Sequence, residues 1–266
     1  MSVGWPQTFS LDLDQAQKAL TLYAHEPGAS IQTVSSQLGI GGPKVEGLNA
    51  WLKYLGLRDP KTRKLTPLGN LLYRRDPSLA DRGTHCVLHY HLVSNPEATV
   101  WYETVNHFLA QRSSFTRNDL QSYFQESGIG QNSPKQLKSD FRLLINTYAD
   151  NSRRAFNDLG FFTLQEDAII VRPIVDVHPF ILGYCLFHRL ESGLRESTTS
   201  IKRLLEEDGR PGLVFRFHED DLREKLSTLE SAGYISVVRI ADINGISYAV
   251  NEPALDCLEH YFENTL

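Results

Sequence analysis

The sequence predicts a mainly α fold with small β wings, in the α+β class, built from tandem winged-helix modules that are joined by a helical hairpin. Three times along the 266 residues, a capped amphipathic helix ends at a glycine and an extended segment follows it. Ser, Thr and Asp at helix starts satisfy unpaired amides, and Gly just past helix ends permits positive φ. The recurrence of this order predicts three related modules.

The first copy spans residues 30–65. A short helix over 31–38 and a longer helix over 44–55 are followed by a cationic segment over 58–64, here named the basic hairpin. The Asp-Pro pair within this segment favours a tight turn. The basic hairpin stands where a wing follows the second helix of a module, and its cations predict contacts with phosphates. A solvated charged loop is the alternative.

The second copy begins at residues 115–116 and has a helix near 118–127. The chain breaks over 128–130 and restarts with Pro134 at the first position of a helix, where a missing amide hydrogen costs nothing. This copy ends near 159–161.

The third copy starts with Asp220 or Asp221 as a helix cap and continues as a helix to Ala232. Two strand-like runs joined by residues 242–245 follow and form the clearest wing of the three. The copies predict four segments: a first winged-helix module with the basic hairpin over 1–75, a helical linker over 76–112, a second winged-helix-like module over 113–176, and a helix plus a third, acidic winged-helix module over 177–266.

Composition is that of an ordinary globular protein, with 41% hydrophobic and 22% charged residues. No apolar run approaches the roughly 20 residues that a membrane span needs, and the beginning of the chain lacks the pattern of a secretion signal. We therefore expect a cytoplasmic protein. The three cysteines lie far apart, which argues against a disulfide framework and a cysteine-rich zinc site.

The net charge of −5 is unevenly distributed. Residues 190–266 hold 8 Lys or Arg and 15 Asp or Glu, whereas residues 40–75 hold eight basic and two acidic residues. A local excess of cations is typical of a surface that binds a polyanion. The acidic third module is expected to bind protein or to complete the fold.

A helix that reads DNA buries one stripe in its own domain and turns a polar, preferably basic stripe to the major groove. The helix after Pro134 is the best candidate because its apolar and polar stripes separate cleanly. Its apolar stripe contains Leu137, Phe141, Leu144 and Tyr148. The alternative is a solvated helix face.

The longer helix of the first copy is the second candidate. Its outward face is expected to contain Glu46, Gly47, Ala50, Lys53 and Tyr54. The alternative is that Trp51 and Tyr54 pack against another module, as aromatic side chains usually do. From both helices, the basic hairpin and their surroundings, the side chains expected to bind nucleic acid are Lys44, Lys53, Tyr54, Arg58, Lys61, Arg63, Lys64, Lys135, Lys138, Ser139, Arg142, Asn146, Arg153 and Arg154.

His85 and His89 lie one helical turn apart, a spacing at which two imidazoles can share a metal ion. Apolar neighbours favour a core helix instead, and no metal ligands are assigned. Nearby carboxylates that could in principle hold a divalent cation are Asp76, Asp81, Glu97 and Glu103. No nucleotide-binding loop or nuclease signature is present, and the catalytic residues stay unknown.

Several short motifs carry a family resemblance. They are Thr-Pro-Leu-Gly at 66–69, Ser-Asn-Pro at 94–96, Thr-x-Trp-Tyr at 99–102 and Asn-His-Phe at 106–108. Over about residues 5–150 the chain resembles the SspB-type family of bacterial proteins. Their genes lie in clusters whose products replace a phosphate oxygen of DNA with sulfur. From the residues alone, Thr66 is expected to cap a helix that starts at Pro67, and Gly69 to allow close packing on the basic hairpin.

The resemblance implies that the chain is the DNA-binding component of a DNA phosphorothioation system. It further implies that the chain could nick one DNA strand, in which case Mg or Mn would be the expected cofactor. It implies double-stranded DNA, a cysteine desulfurase and an ATP-pyrophosphatase-like sulfur-transfer protein as partners. A non-enzymatic winged-helix regulator, or an adaptor or scaffold that recruits sulfur-transfer proteins, is the alternative.

Overall fold

The computed structural model describes residues 9–129, 134–149, 155–191, 196–240, 243–249 and 254–265. The chain divides into two compact units, Met1–Arg172 and Pro173–Leu266. In the described residues, each unit is mainly helical and has one three-stranded antiparallel sheet, which confirms the predicted α+β class. The finer division into four segments stays a prediction.

The first unit begins with four helices around the basic hairpin. They are α1 (Leu13–His25), α2 (Ile31–Leu38), α3 (Gly42–Tyr54) and α4 (Pro67–Arg75). The side chains of Asp12, Ser30 and Thr66 accept hydrogen bonds from backbone amides at the starts of α1, α2 and α4. The predicted short helix over 31–38, the Thr66 cap and the role of Pro67 are confirmed.

Two helices and a π-helical turn follow. They are α5 (Arg82–Ser94), α6 (Thr99–Glu103) and the turn Thr104–Phe108. Trp101 of α6 packs edge-to-face on Trp51 of α3, with ring centroids 5.4 Å apart, and Trp51 Nε1 donates to the carbonyl of Phe9 at 3.0 Å. Trp51 is therefore a core residue, as the packing alternative for this helix predicts.

The outward face predicted for α3 is partly wrong. Gly47 and Ala50 are buried, because α3 packs on α1 and α2 as well as on Trp101. The exposed part of this helix is narrower than a simple helical wheel indicates.

The rest of the first unit combines two helices with a small sheet. Its elements are β1 (Ser114–Phe115), α7 (Arg117–Glu126), α8 (Pro134–Ala149), β2 (Phe162–Gln165) and β3 (Ala168–Val171). Strand β3 lies between β1 and β2 and pairs antiparallel with both. The predicted apolar stripe of α8 is buried, and Tyr148 at its end packs on Phe161 and Phe162.

The second unit repeats this sheet order. Its elements are α9 (Pro179–Glu191), β4 (Thr198–Ser200), α10 (Ile201–Glu206), α11 (Pro211–Val214), α12 (Glu219–Ser231), β5 (Ile235–Ile240), β6 (Ile243–Tyr248) and α13 (Ala254–Thr265). Strand β6 lies between β4 and β5 and is antiparallel to both.

The boundaries predicted for the third copy need correction. His218, not Asp220 or Asp221, is the N-cap residue of α12, and both aspartates lie in the first turn, where the helix dipole favours acidic side chains. Residues 243–245, expected in the connection between strands, belong to β6. Asp242 lies outside the described residues. None of the described helices combines the length and apolar composition that crossing a membrane requires.

The base of the basic hairpin is held by the start of α4. Thr66 donates its hydroxyl to the carbonyl of Gly56 at 2.5 Å and its amide to the carbonyl of Leu57 at 3.0 Å. A Cβ at Gly69 would overlap with that same Leu57 carbonyl oxygen. The close packing predicted for Gly69 is confirmed.

We expect Gly69→Ala to destabilise the protein by about 3 kcal/mol, the upper end of overpacking costs, because the clash is with backbone that has little room to move. Urea unfolding followed by circular dichroism measures the change. Gly42→Ala is the control, since a Cβ there meets only Ile31 at 3.7 Å. Equal unfolding midpoints for the two variants would contradict the packing account.

An ion-pair cluster holds the start of the sheet in the second unit. Glu196 accepts hydrogen bonds from Arg210 at 2.7 Å, Arg203 at 2.8 Å and the Thr199 hydroxyl at 3.0 Å, and the Arg210 side chain is fully buried. Burial by itself raises the pKa of Glu196, but the hydrogen bonds from Arg210, Thr199 and Arg203 together hold this pKa below its ordinary value of 4.5. Glu196 therefore stabilises the fold as a carboxylate.

Because the folded pKa is lowered, the stability from Glu196 is present above pH 4.5 and is lost as pH falls through the lower folded value. We expect Glu196→Gln to lose about 1–3 kcal/mol at pH 7, since the buried Arg210 loses the carboxylate that it contacts at 2.7 Å and keeps its longer ion pair with Glu207. The variant should also unfold with less dependence on pH below about 4.5. Thermal unfolding from pH 7 to pH 3 checks both effects.

Glu206→Gln is the matched control, because its pair with Lys202 is exposed and 3.8 Å long. Exposed pairs of this kind contribute little. A Glu196 variant that behaves like the Glu206 variant would show that the cluster carries no net stability.

Candidate nucleic-acid interface

The basic hairpin has a fixed shape that Asp59 organises. Arg58 and Leu65 form an antiparallel bridge. The Asp59 amide donates to the carbonyl of Lys64 at 2.9 Å, and the Asp59 carbonyl accepts from the amide of Arg63 at 2.8 Å. The Asp59 carboxylate accepts the Lys61 amide at 2.8 Å and the Thr62 hydroxyl at 3.0 Å, and these bonds lower its pKa. The predicted turn at Asp59 is confirmed as an ordered hairpin.

Two arginines connect this hairpin to the helices beside it. Arg63 has a positive φ of 61° and donates to the carbonyl of Ala29 at 2.9 Å, so the hairpin is tied to the segment before α2. The Arg58 guanidinium lies over the ring of Tyr23 in α1, 4.1 Å from its centroid. Burial lowers the pKa of Arg58, and the neighbouring charge of Arg63 lowers it further.

A groove of about 600 Å³ lies between the start of α2, the exposed part of α3 and the basic hairpin. Four of the side chains predicted to bind nucleic acid line it: Lys53, Tyr54, Arg58 and Arg63. The other lining residues were not predicted to bind nucleic acid, although Glu46 and Ala50 were predicted on the outward face of α3. They are Ala29, Ser30, Ile31, Gln32, Glu46, Asn49, Ala50 and Pro60. We refer to this feature as the cationic groove.

At one end of the cationic groove, Lys53 forms an ion pair of 2.6 Å with Glu97. This hydrogen bond raises the pKa of Lys53. Burial raises the pKa of the neighbouring Tyr54 hydroxyl; Lys53 opposes that shift, while Glu97 and Asp140 add to it. Tyr54 is therefore a neutral donor at ordinary pH, and Lys53 is already partly compensated.

The other cations of the first copy lie around the groove and do not line it. Lys61 and Lys64 are exposed on the basic hairpin, and Lys44 is half-buried in the first turn of α3. Their positions leave the hairpin tip open to a large polyanion.

The predicted recognition face of α8 is divided by burial. Lys135, Lys138 and Arg142 are exposed. Ser139 and Asn146 are half-buried, and the Asn146 amide donates to the Ser10 hydroxyl at 3.4 Å. The exposed cations of α8 lie between Lys135 and Arg142, and none of the three is among the residues that line the cationic groove. Arg153 and Arg154 lie outside the described residues.

A second groove, of about 520 Å³, lies between the start of α7 and the turn that joins β2 to β3. Glu166 and Asp167 form that turn, and Glu166 has a positive φ of 52°. Leu164 beside them is 53% exposed. Two adjacent carboxylates at this position outnumber the one lining cation, Arg117, so this groove is less suited to phosphate than the basic hairpin.

The histidines of α5 have structural partners. His85 uses Nδ1 toward the Asp158 carboxylate at 2.8 Å and Nε2 toward the Leu79 carbonyl at 2.9 Å. His89 is fully buried, and its Nδ1 lies 2.8 Å from the Tyr148 hydroxyl. The favoured core interpretation of this helix is confirmed.

Each of the four nearby carboxylates has a separate partner. Asp76 accepts the amides of Ala80 and Asp81, Asp81 caps α5, Glu97 pairs with Lys53, and Glu103 lies 3.9 Å from His107. Within the described ranges, no group of three or more His, Cys, Asp or Glu side chains could hold a metal ion.

The sequence did not predict two features of the cationic groove. The stacking of Arg58 on Tyr23 joins residues 35 positions apart, and no local pattern announces it. The start of α2 was visible through its Ser30 cap, but only the fold shows that this helix end meets the basic hairpin.

Comparison with known proteins gives the family and the fold. A family model described as a protein of unknown function (DUF4007) matches residues 7–262. No curated protein matches the chain. A crystal structure of magnesium ion-bound SspB aligns with a TM-score of 0.82 and 21% identity, over 99% of this chain and 88% of that one. A second SspB crystal structure aligns with a TM-score of 0.84, 20% identity and the same coverage.

Proposed function

The chain belongs to the DUF4007 family and has the fold of SspB, and from this premise we propose that it is the DNA-binding component of a DNA phosphorothioation system. The resemblance found in the sequence motifs is confirmed in the fold, which matches over nearly the whole chain. Duplex DNA is the proposed ligand of the first unit.

The observation that carries this proposal is the cationic groove. Lys53, Arg58 and Arg63, from α3 and the basic hairpin, line one concave surface, and Lys61 and Lys64 stand exposed beside it. Cations held on an ordered loop next to a helix are suited to the regularly spaced phosphates of a duplex.

The strand order supports an interpretation of the modules as winged helices. Both sheets have the strand order first, third, second, and in each the helices lie between the first and second strands. In the first copy, the basic hairpin follows α2 and α3 at the place of a wing. The exposed cations of α8, Lys135, Lys138 and Arg142, are proposed as a second DNA-contacting surface.

The acidic second unit is proposed to contact protein partners, because residues 190–266 hold 15 acidic and 8 basic side chains and repel phosphate. A cysteine desulfurase and an ATP-pyrophosphatase-like sulfur-transfer protein are the proposed partners. A non-enzymatic adaptor that brings them to DNA is consistent with this division of charge.

We expect duplex binding to weaken steeply as salt rises, with a slope that reports the phosphates contacted. Replacing Lys61 and Lys64 together by Ala removes two contacts and should reduce the slope of log K against log salt by about 2. Fluorescence anisotropy with a labelled duplex measures the slope. Lys18→Ala with Lys202→Ala is the control, because both lysines are exposed and outside the groove.

An unchanged slope in the Lys61 and Lys64 variant would remove the basic hairpin from the interface. The same titration with Lys135→Glu and Arg142→Glu measures the contribution of α8 to binding. We expect these substitutions to weaken duplex binding.

Nicking of one strand is the second candidate function, favoured by the magnesium ion bound to one of the two SspB structures. The described residues offer no cluster for such an ion, so no residue is assigned to it. We expect open-circular product from supercoiled plasmid with Mg or Mn, and none with a chelator. Intact plasmid across metals and protein concentrations would leave DNA binding as the function.

A further inference from the structure

We propose that the cationic groove contains a binding site for one phosphate group, held by the Arg58 guanidinium and by backbone amides at the start of α2. The inference rests on the proposed DNA binding and names the group that the groove recognises. It concerns a specific pocket, whereas Lys61 and Lys64 supply general attraction.

Arg58 is a buried cation that forms no ion pair with a carboxylate within the described part of the chain, and the neighbouring Asp59 acts on it only through its charge. Only 7% of the residue is exposed, its Nε is buried without a hydrogen-bond acceptor, and its contact is the face of Tyr23. A buried charge without a hydrogen-bonding partner is costly. Arg58 is among the residues that line the groove, so an anionic ligand there can pair with its charge.

The start of α2 supplies donors to the same groove. The Ser30 side chain accepts the amide of Thr33 at 3.0 Å, and the amides of Ile31 and Gln32 have no acceptor among the described residues. The first amides of a helix point outward along its axis and carry partial positive charge, which suits an anion. Ser30, Ile31 and Gln32 all line the groove together with Arg58.

Arg63 makes the site pre-organised. Its hydrogen bond to the Ala29 carbonyl holds the hairpin against the residue just before the Ser30 cap. Two arginines are thereby fixed beside one helix end, and the planar guanidinium of Arg58 is kept in place by Tyr23. Guanidinium groups bind phosphate oxygens through paired hydrogen bonds.

Glu46 on α3 opposes an anion in this groove. It is exposed and lines the same surface, so its carboxylate repels phosphate at the rim. The site therefore favours a ligand that makes hydrogen bonds with Arg58 and α2 over one attracted by charge alone.

The test follows the backbone amides of Ile31 and Gln32 by nuclear magnetic resonance in the full chain. The probes are a short duplex without terminal phosphates, the same duplex with a 5′-phosphate, and inorganic phosphate. We expect saturable shifts of both amides with duplex. If the 5′-phosphate is needed for them, the ligand is a strand end; if inorganic phosphate alone causes them, the site takes free phosphate.

Arg58→Lys keeps the charge and loses the planar pair of donors. We expect it to weaken duplex binding about tenfold and to abolish the shifts, because a hydrogen bond to a charged group is lost. Lys64→Ala should weaken binding and keep the shifts, and Glu46→Gln should strengthen binding. Thermal unfolding of each variant confirms that it is folded.

Duplex binding without shifts at Ile31 and Gln32 would overturn the phosphate site and leave the proposed function standing. Absence of duplex binding at low salt would refute the proposed function itself. Equal effects of Arg58→Lys and Lys64→Ala on the shifts would also overturn the site, since the groove would then act only through its total charge.

Discussion

The contact between Gly69 and the carbonyl of Leu57 fixes the base of the basic hairpin, and the cationic groove depends on that base. Thr66 bonds to Gly56 and Leu57 from the same side, so the first turn of α4 and the end of α3 are joined at one point. Asp59 then shapes the loop, and Arg63 ties it to Ala29. Because each of these contacts is short and directional, the hairpin presents its cations in one arrangement.

The arginines of the two units differ in the groups that they contact. In the second unit, Arg203 and Arg210 are paired with Glu196 and Glu207, so their charge is used within the fold. In the first unit, Arg58 is held over an aromatic ring and Arg63 bonds to a backbone carbonyl, so both arginines are positioned by contacts other than a carboxylate ion pair. The proposal assigns DNA to the first unit because Arg58 and Arg63 of its groove form no carboxylate ion pair, whereas Arg203 and Arg210 of the second unit do.

Local chemistry made much of this predictable. Ser30, Thr66 and Pro67 announce helix starts through capping, and the stripe of Leu137, Phe141, Leu144 and Tyr148 identifies the buried side of α8. The errors come from tertiary packing. A helical wheel places Gly47 and Ala50 outward because it cannot include α1, α2 and Trp101, and it places Asn146 in solvent because Ser10 is 136 residues away. The meeting of Tyr23, Arg58 and the start of α2 is likewise a product of the fold.

The cationic groove of the first unit is the proposed nucleic-acid interface. Hydrogen–deuterium exchange of the full chain with and without a duplex tests it most directly, since both units report in one experiment. The account predicts slower exchange on DNA binding in residues 29–34 and 57–65, with little change over 196–240. Protection confined to the second unit, or none in the basic hairpin while the duplex is bound, would contradict it.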